Sequence, residues 1–228
     1  MRSASDIRCS ECMTEGRWLS WKIFAGVGFE SYLPHPTRFT MAEVPSTRTL
    51  PLGSSAPEFS LTDFDGRTLT LADVRGEKGL VVAFVCNHCP FVVHLAREIG
   101  VTAGVLGKLG LGFVAINSND IERYPQDGPE KMVEFAKANG WTFSYLLDED
   151  QSVAKKYDAA CTPDFYVFDE KLKLTYCGQF DDSRPRNGKP VTGRDLRRAA
   201  DAVMLGLPPL SPQLPSTGCS IKWRPETK

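Results

Sequence analysis

Unbroken apolar runs and short alternating stretches divide the chain into strands and helices. Residues 79–85 are continuously apolar with several β-branched side chains, which predicts a central strand buried on both faces. Beyond it the period changes. Phe91, Leu95, Ile99 and Leu106 share one helical face with Arg97 opposite, so a helix follows, its second half weakened by Gly100, Gly104 and Gly107. Residues 113–117 are a second buried strand, and two strands joined by a helical crossover pair in parallel with a right-handed connection. Gly128-Pro129 opens another helix, with Met132, Phe135 and Ala136 inside and Gly140 closing it. Residues 143–147 read as extended, and Asp150 as the cap of a short helix through Tyr157. Residues 165–168 and 174–177 form an antiparallel hairpin about Asp169-Glu170-Lys171. Thr192-x-x-Asp195 reads as a capping box for a last helix, with Leu196, Ala199, Ala200 and Val203 inside and Gly206 and Pro208-Pro209 stopping it.

Upstream, residues 59–62 and 68–71 alternate about an Asp65-Gly66 turn, which is a hairpin signal, and a helical turn follows at 71–74. Residues 47–57 are Pro/Ser-rich and read as the entry to the domain. Residues 1–46 form an N-terminal extension that carries Trp18, Trp21, Cys9 and Cys12 without a long periodic pattern. Poor order is expected there, with Met41 as a candidate start. Residues 210–228 are a Pro-rich tail whose ending, Cys219-Ser220-Ile221-Lys222-Trp223, is apolar enough to dock back on the body. The order of elements between them is that of an α/β layer sandwich, helices covering a mixed sheet.

Composition narrows the function by exclusion. Lys and Arg number 27 against 28 Asp and Glu, a net charge of −1, so neither nucleic acid nor an anionic membrane surface is expected as a partner. No apolar segment approaches the roughly 20 residues of a membrane helix. Seven cysteines are an odd number in a chain of 228 residues. That argues against a secreted disulfide framework and for thiols kept reduced in a cytoplasmic compartment, or in an organelle if residues 1–40 are a targeting segment.

The chemistry concentrates where the first buried strand meets its helix, at Cys86-Asn87-His88-Cys89. A sulfur there faces the unpaired amides and positive dipole end of the helix, which favours thiolate at Cys86. Two residues between the cysteines let the sulfurs meet and close a small disulfide. The same spacing is half of a zinc site, with Cys9-x-x-Cys12 as a second half, but the strand-then-helix setting favours redox chemistry and no metal. His88 either stabilises the thiolate or is a solvated loop histidine, and His94 reads as structural. Cys161 is an accessory thiol or a small buried hydrophobe, and Cys177 belongs to the core. Cys219 either reaches the pair as an extra resolving thiol or fills a gap in the packing. Asp181, Asp182 and Arg184 follow the hairpin as a solvated loop or as a rim beside the cysteines.

Four motifs in order resemble one family. They are Cys86-Asn87-His88-Cys89-Pro90, Ala115-Ile116-Asn117-Ser118-Asn119-Asp120, Cys161-Thr162-Pro163-Asp164-Phe165 and Gln179-Phe180-Asp181-Asp182-Ser183-Arg184-Pro185. With the opening Leu52-Gly53-Ser54-Ser55-Ala56-Pro57-Glu58-Phe59, they resemble the thioredoxin-like superfamily, in its redoxin or AhpC/TSA type. The resemblance implies a thioredoxin-like fold over 47–209 with an N-terminal β-hairpin. It implies that Thr162-Pro163 is a cis-proline loop facing the pair and positioning an extended substrate. It also implies a thiol–disulfide oxidoreductase of cell redox homeostasis, with Cys86 the attacking thiolate and Cys89 the resolving thiol. Protein or small-molecule disulfides would be its partners, a dithiol its electron donor, and no cofactor would be needed. Two rivals stand beside this reading. One is a peroxiredoxin-like thiol peroxidase acting on hydroperoxides, which Cys89-Pro90 fits while Cys86 and Val82 replace that type's Thr and Pro. The other is a non-enzymatic metal-binding or redox-sensing module on the same cysteines.

Overall fold

The central apolar run becomes strand β4 (Gly79–Phe84), and its alternation fixes the two cores of the molecule. Val81, Ala83 and Val85 point to one side, Leu80, Val82 and Phe84 to the other, all fully buried. The computed structural model describes residues 43–225. Expectations for the extension before Glu43, including its disorder and the Cys9-x-x-Cys12 pair, lie outside the described residues.

Before β4 come β1 (Glu43–Pro45), β2 (Ser60–Asp63), β3 (Thr68–Thr70) and the single turn α1 (Leu71–Val74). After it come α2 (Pro90–Lys108), β5 (Leu111–Asn117), a 3-10 turn at Pro125–Asp127, α3 (Pro129–Ala138), β6 (Ser144–Leu147) and α4 (Ser152–Tyr157). The chain ends with β7 (Cys161–Thr162), β8 (Asp164–Phe168), β9 (Leu174–Gly178), α5 (Arg194–Met204) and β10 (Thr217–Ser220). Seven strands make the main sheet in the order β3-β2-β6-β5-β4-β8-β9. β4, β5 and β6 run parallel; β8 and β9 on one side, and β2 and β3 on the other, run antiparallel. This is the thioredoxin-like arrangement, with the redoxin hairpin β2–β3 extending the far edge. Residues of α2, α3 and α5 pack in the Val81 core, those of α1 and α4 in the Phe84 core. Among the described residues, no helix is long and apolar enough to cross a membrane.

Helix α2 runs through all three of its suspect glycines. Gly100 is needed because a Cβ would meet the Asn139 carbonyl oxygen at 2.7 Å, whereas Gly104 and Gly107 face open space. Their cost in helix propensity is offset by burial of Leu95, Ile99 and Leu106.

Two expected caps are differently made. For α4, the buried Asp148 accepts the Val153 and Ala154 amides at 3.1 and 2.9 Å, while Asp150 takes only the Ser152 amide at 2.9 Å. The Thr192/Asp195 capping box does not form. Asp181 is fully buried and its Oδ2 takes the Thr192 and Gly193 amides at 2.6 and 2.7 Å, while the Asp195 carboxylate accepts from Gln179 at 2.6 Å. The polar loop after β9 is therefore internally organised, not merely solvated.

The tail docks as strand β10. It lies between β1 and β7 in a separate three-stranded antiparallel sheet, with Val44 opposite Gly218 and Cys219 opposite Thr162. The boundary drawn at residue 46 thus cuts through this unit, since Glu43–Pro45 is one of its strands.

β8 starts on a buried carboxyl, Asp164, which accepts from Ser46 Oγ at 2.9 Å and Tyr166 Oη at 3.1 Å and leaves Oδ1 without a partner. Burial pushes this carboxyl up to about 7 against these hydrogen bonds. The folded state therefore holds the Asp164 proton more tightly than the unfolded state. Its contribution to stability is full below about 3.8, declines as pH rises to about 7 and is flat above. Relative to wild type, Asp164→Asn should gain roughly 2–3 kcal/mol between about pH 5 and about pH 8. Urea denaturation at the two pH values checks this, and a constant difference would contradict it.

Candidate functional site

β4 ends at Phe84, and the backbone turns through Asn87 and His88 into α2, with Pro90 in the first helical turn and Cys89 as its N-cap residue. The apolar strand fixes one end of this junction and the helix the other, which brings both cysteines inside: Cys86 is 1% exposed and Cys89 0%. The Thr162–Pro163 peptide is cis and faces them. Cys86 Sγ lies 3.4 Å from Thr162 Oγ1, and the Cys89 thiol donates to the Thr162 carbonyl at 3.1 Å. A third sulfur completes the group. Cys219 Sγ is 2.8 Å from Cys89 Sγ and is 2% exposed.

The turn itself is held by a residue that the sequence reading did not single out. Asp127 is fully buried; its Oδ1 accepts the Asn87 and His88 amides at 2.8 and 3.3 Å, and its Oδ2 accepts from Asn119 Nδ2 at 2.9 Å. Tyr145 Oη donates to Asn87 Oδ1 at 2.9 Å from below. His88 Nδ1 lies 2.6 Å from Asp127 Oδ2, a close contact without the alignment of a hydrogen bond, and the His88 ring stacks on Tyr124 at 5.7 Å. His88 is thus held against Asp127 and Tyr124. Cys86, His88 and Asp127 offer ligand atoms all within 4.8 Å of one another. The 2.6 Å Nδ1–Oδ2 contact is shorter than the roughly 3.3 Å that two ligands of one tetrahedral zinc keep, so a zinc held by those two atoms would have to part them.

Electrostatics separate the three thiols. Burial pushes the Cys86 thiol far up, and the Cys89 sulfur and the Asp127 charge act in the same direction. Burial opposes ionisation of Cys89 as well, but the donors converging on its sulfur outweigh it and hold Cys89 well below the ordinary thiol range. These are the Cys219 thiol first, then the Cys86 thiol and the amides of Val92 and Cys219. Once ionised, Cys89 gives up its bond to the Thr162 carbonyl. Cys219, donating to Cys89 and buried, is itself raised. Burial, the Cys89 sulfur and the Asp127 charge thus weigh against a thiolate at Cys86, while the donors around Cys89, at the helix start, favour one there. Cys86 sits three residues short of the helix and beside a carboxylate.

The remaining candidates fall outside this group. Cys161 turns its sulfur to the Pro163 carbonyl at 3.6 Å and is raised by burial; Cys177, also raised by burial, is pushed up to about 12 in the other core. Both behave as small buried hydrophobes. His94 Nε2 meets Ser183 Oγ at 2.7 Å and ties α2 to the Asp181 loop. Arg184 is engaged with Gln179 Oε1 at 2.6 Å, and together with Phe91, Pro163, Phe180 and Thr217 it lines a small depression beside the cis-proline. Thr162 and Pro163 face the cysteines, but the Thr162 edge expected to receive an extended substrate is already paired with β10.

Residues 52–177 match the AhpC/TSA family. A putative peroxiredoxin of Mycobacterium tuberculosis is 33% identical over 114 residues, which are 50% of this chain and 67% of that protein. The thiol-disulfide oxidoreductase ResA of Geobacillus thermodenitrificans is 28% identical over 155 residues, 67% of this chain and 78% of its own. The crystal structure of an uncharacterized conserved protein from Geobacillus kaustophilus has a TM-score of 0.79 at 53% identity, covering 82% of this chain and 99% of that one.

Proposed function

Since this chain belongs to the AhpC/TSA family, we propose that it is a thiol–disulfide oxidoreductase with Cys86 and Cys89 as its exchanging pair. The observation that carries this reading is a Cys-x-x-Cys pair at one helix start, with Cys89 as its N-cap residue and both sulfurs against Thr162 of a cis-proline loop. A sulfur that is stable as a thiolate is the better leaving group, and it stabilises the reduced form of the pair. In the oxidised protein a partner thiolate attacks Cys86 Sγ. The Cys86–Cys89 bond breaks, Cys89 departs as a thiolate held by Cys219 and the Val92 amide, and a mixed disulfide links Cys86 to the partner. A second partner thiolate attacks the partner's sulfur in that disulfide, and Cys86 leaves and takes up a proton. The partner dithiol has become a disulfide, and the protein has gained two electrons. Run backwards, the same steps reduce a partner disulfide, with Cys86 forming the mixed disulfide and Cys89 resolving it. Both sulfurs lie below the surface, so either direction needs local opening of the junction.

The position of Cys89 favours one second reading. A helix-capping cysteine held as a thiolate and followed by Pro90 is placed to attack a peroxide, as in a thiol peroxidase. Rates decide between the two. The reduced, metal-free protein should consume hydrogen peroxide no faster than an ordinary thiol, while the oxidised protein exchanges with a reduced dithiol peptide orders of magnitude faster than glutathione disulfide does. Peroxide consumption orders of magnitude above that of a free thiol, lost in Cys89→Ser, would overturn the exchange reading.

A further inference from the structure

The tail strand brings the chain's own sulfur to the place where a partner would dock, and the geometry points to Cys219 as a second disulfide partner of Cys89. This makes Cys89 the hub of a three-thiol relay. The inference rests on the proposed exchange function and adds a residue to it.

The position of Cys219 is built from both flanks. β10 is paired on one side with β1 and on the other with β7, in a register that sets Cys219 opposite Thr162. Before it, Gly218 passes so close to the cis-proline loop that a Cβ would meet the Thr162 carbonyl oxygen at 2.0 Å. After it, Ile221 is buried in the Phe84 core. Lys222 is clamped through its backbone: its amide donates to Asn119 Oδ1 and its carbonyl accepts from the Asp120 amide and Gln151 Nε2, each at 2.9 Å. A strand anchored on both sides holds its sulfur 2.8 Å from Cys89, within reach of disulfide exchange, whereas Cys161 and Cys177 turn theirs to the Pro163 carbonyl and the Ser46 hydroxyl. β10 also takes the Thr162 backbone edge, the surface on which an added strand would recruit an extended partner. The chain thus presents an internal strand and thiol to its own exchange centre.

The relay conserves atoms and electrons. Starting from the Cys86–Cys89 disulfide, Cys219 loses its proton and its thiolate attacks Cys89 Sγ. The Cys89–Cys219 bond forms, the Cys86–Cys89 bond breaks, and Cys86 leaves as a thiolate that takes up a proton. No electrons leave the protein. The two oxidising equivalents have moved from the junction to the tail, and Cys86 is again a free thiol while the protein remains oxidised.

Trypsin sites after Lys78, Arg97, Arg198 and Lys222 put Cys86 and Cys89 in the peptide 79–97 and Cys219 alone in 199–222. Cys86→Ser treated with oxidised glutathione, blocked with alkylating reagent, digested and mapped by mass spectrometry should give 79–97 linked to 199–222, with two glutathiones released per chain. The same linked peptide should be a measurable fraction of partly oxidised wild type, which needs no variant to fold. Cys89 left carrying glutathione with Cys219 alkylated, and wild type showing only the loop within 79–97, would overturn the relay and leave the exchange function standing. Wild type showing neither linkage would overturn both.

Discussion

Asp127→Ala should destabilise the protein by about 3–5 kcal/mol and slow exchange at Cys86 with it. The substitution strips the acceptor from two backbone amides of the redox turn and from Asn119, all in a buried place that water does not readily re-solvate. Chemical denaturation and exchange kinetics together check it. Asp127→Asn separates charge from support. It keeps a carbonyl oxygen for the amides but removes the negative charge that, after burial and the Cys89 sulfur, raises Cys86, so the Cys86 thiol should become more acidic. The pH dependence of Cys86 alkylation, resolved by mass spectrometry, measures this. An unchanged Cys86 titration in a folded Asp127→Asn protein would remove Asp127 from the electrostatics and leave it a purely structural residue.

The second large effect is expected at Gly218. A Val there sets its Cβ against the Thr162 carbonyl oxygen at 2.0 Å and its carbon at 2.6 Å, backbone atoms fixed by the cis-proline loop and β7. Neither can yield, so β10 must leave β7. Cys219 then moves from full burial to solvent, and Cys89 loses the first of the donors that hold it ionised. In Gly218→Val, Cys219 should be alkylated at least about a hundredfold faster than in wild type, the ratio for roughly 3 kcal/mol of lost protection. The Cys89 thiol should rise at the same time. Equal protection of Cys219 in both proteins would mean that the tail is not seated on the cis-proline loop.

The parts of this molecule that could be read from the chain are those whose cause is local. The run from Val81 to Phe91 announces a buried strand, a turn and an amphipathic helix, because burial on two faces and the change of period are written in adjacent residues. The strand–helix–strand crossover and the antiparallel hairpin follow from the same signals. The features that escaped depend on distant partners. Asp127 sits in a Gln126-Asp127-Gly128-Pro129 sequence that reads as the opening of a helix. Its carboxylate matters only because the chain after β5 folds back under residues 87 and 88. Thr192 and Asp195 have the right spacing for a capping box, but Asp181, more than ten residues away, claims the amides. Cys219 was balanced between redox and packing roles because its neighbour, Cys89, is 130 residues away in sequence. β1 has only three residues and owes its existence to the tail beside it. The helix dipole is likewise a local argument, whereas the donors around Cys89 include a sulfur from the tail.

The measurement that bears most directly on the central claim is equilibration of the purified protein in glutathione redox buffers, with the thiols trapped by acid and mapped by peptide. A single two-electron transition is expected. The peptide 79–97 should lose two alkylatable thiols together, or one together with Cys219, and the transition should vanish in Cys89→Ser. A Cys86–Cys89 pair that stays reduced across the whole range of buffers, or a transition that survives Cys89→Ser, would contradict disulfide exchange at this site.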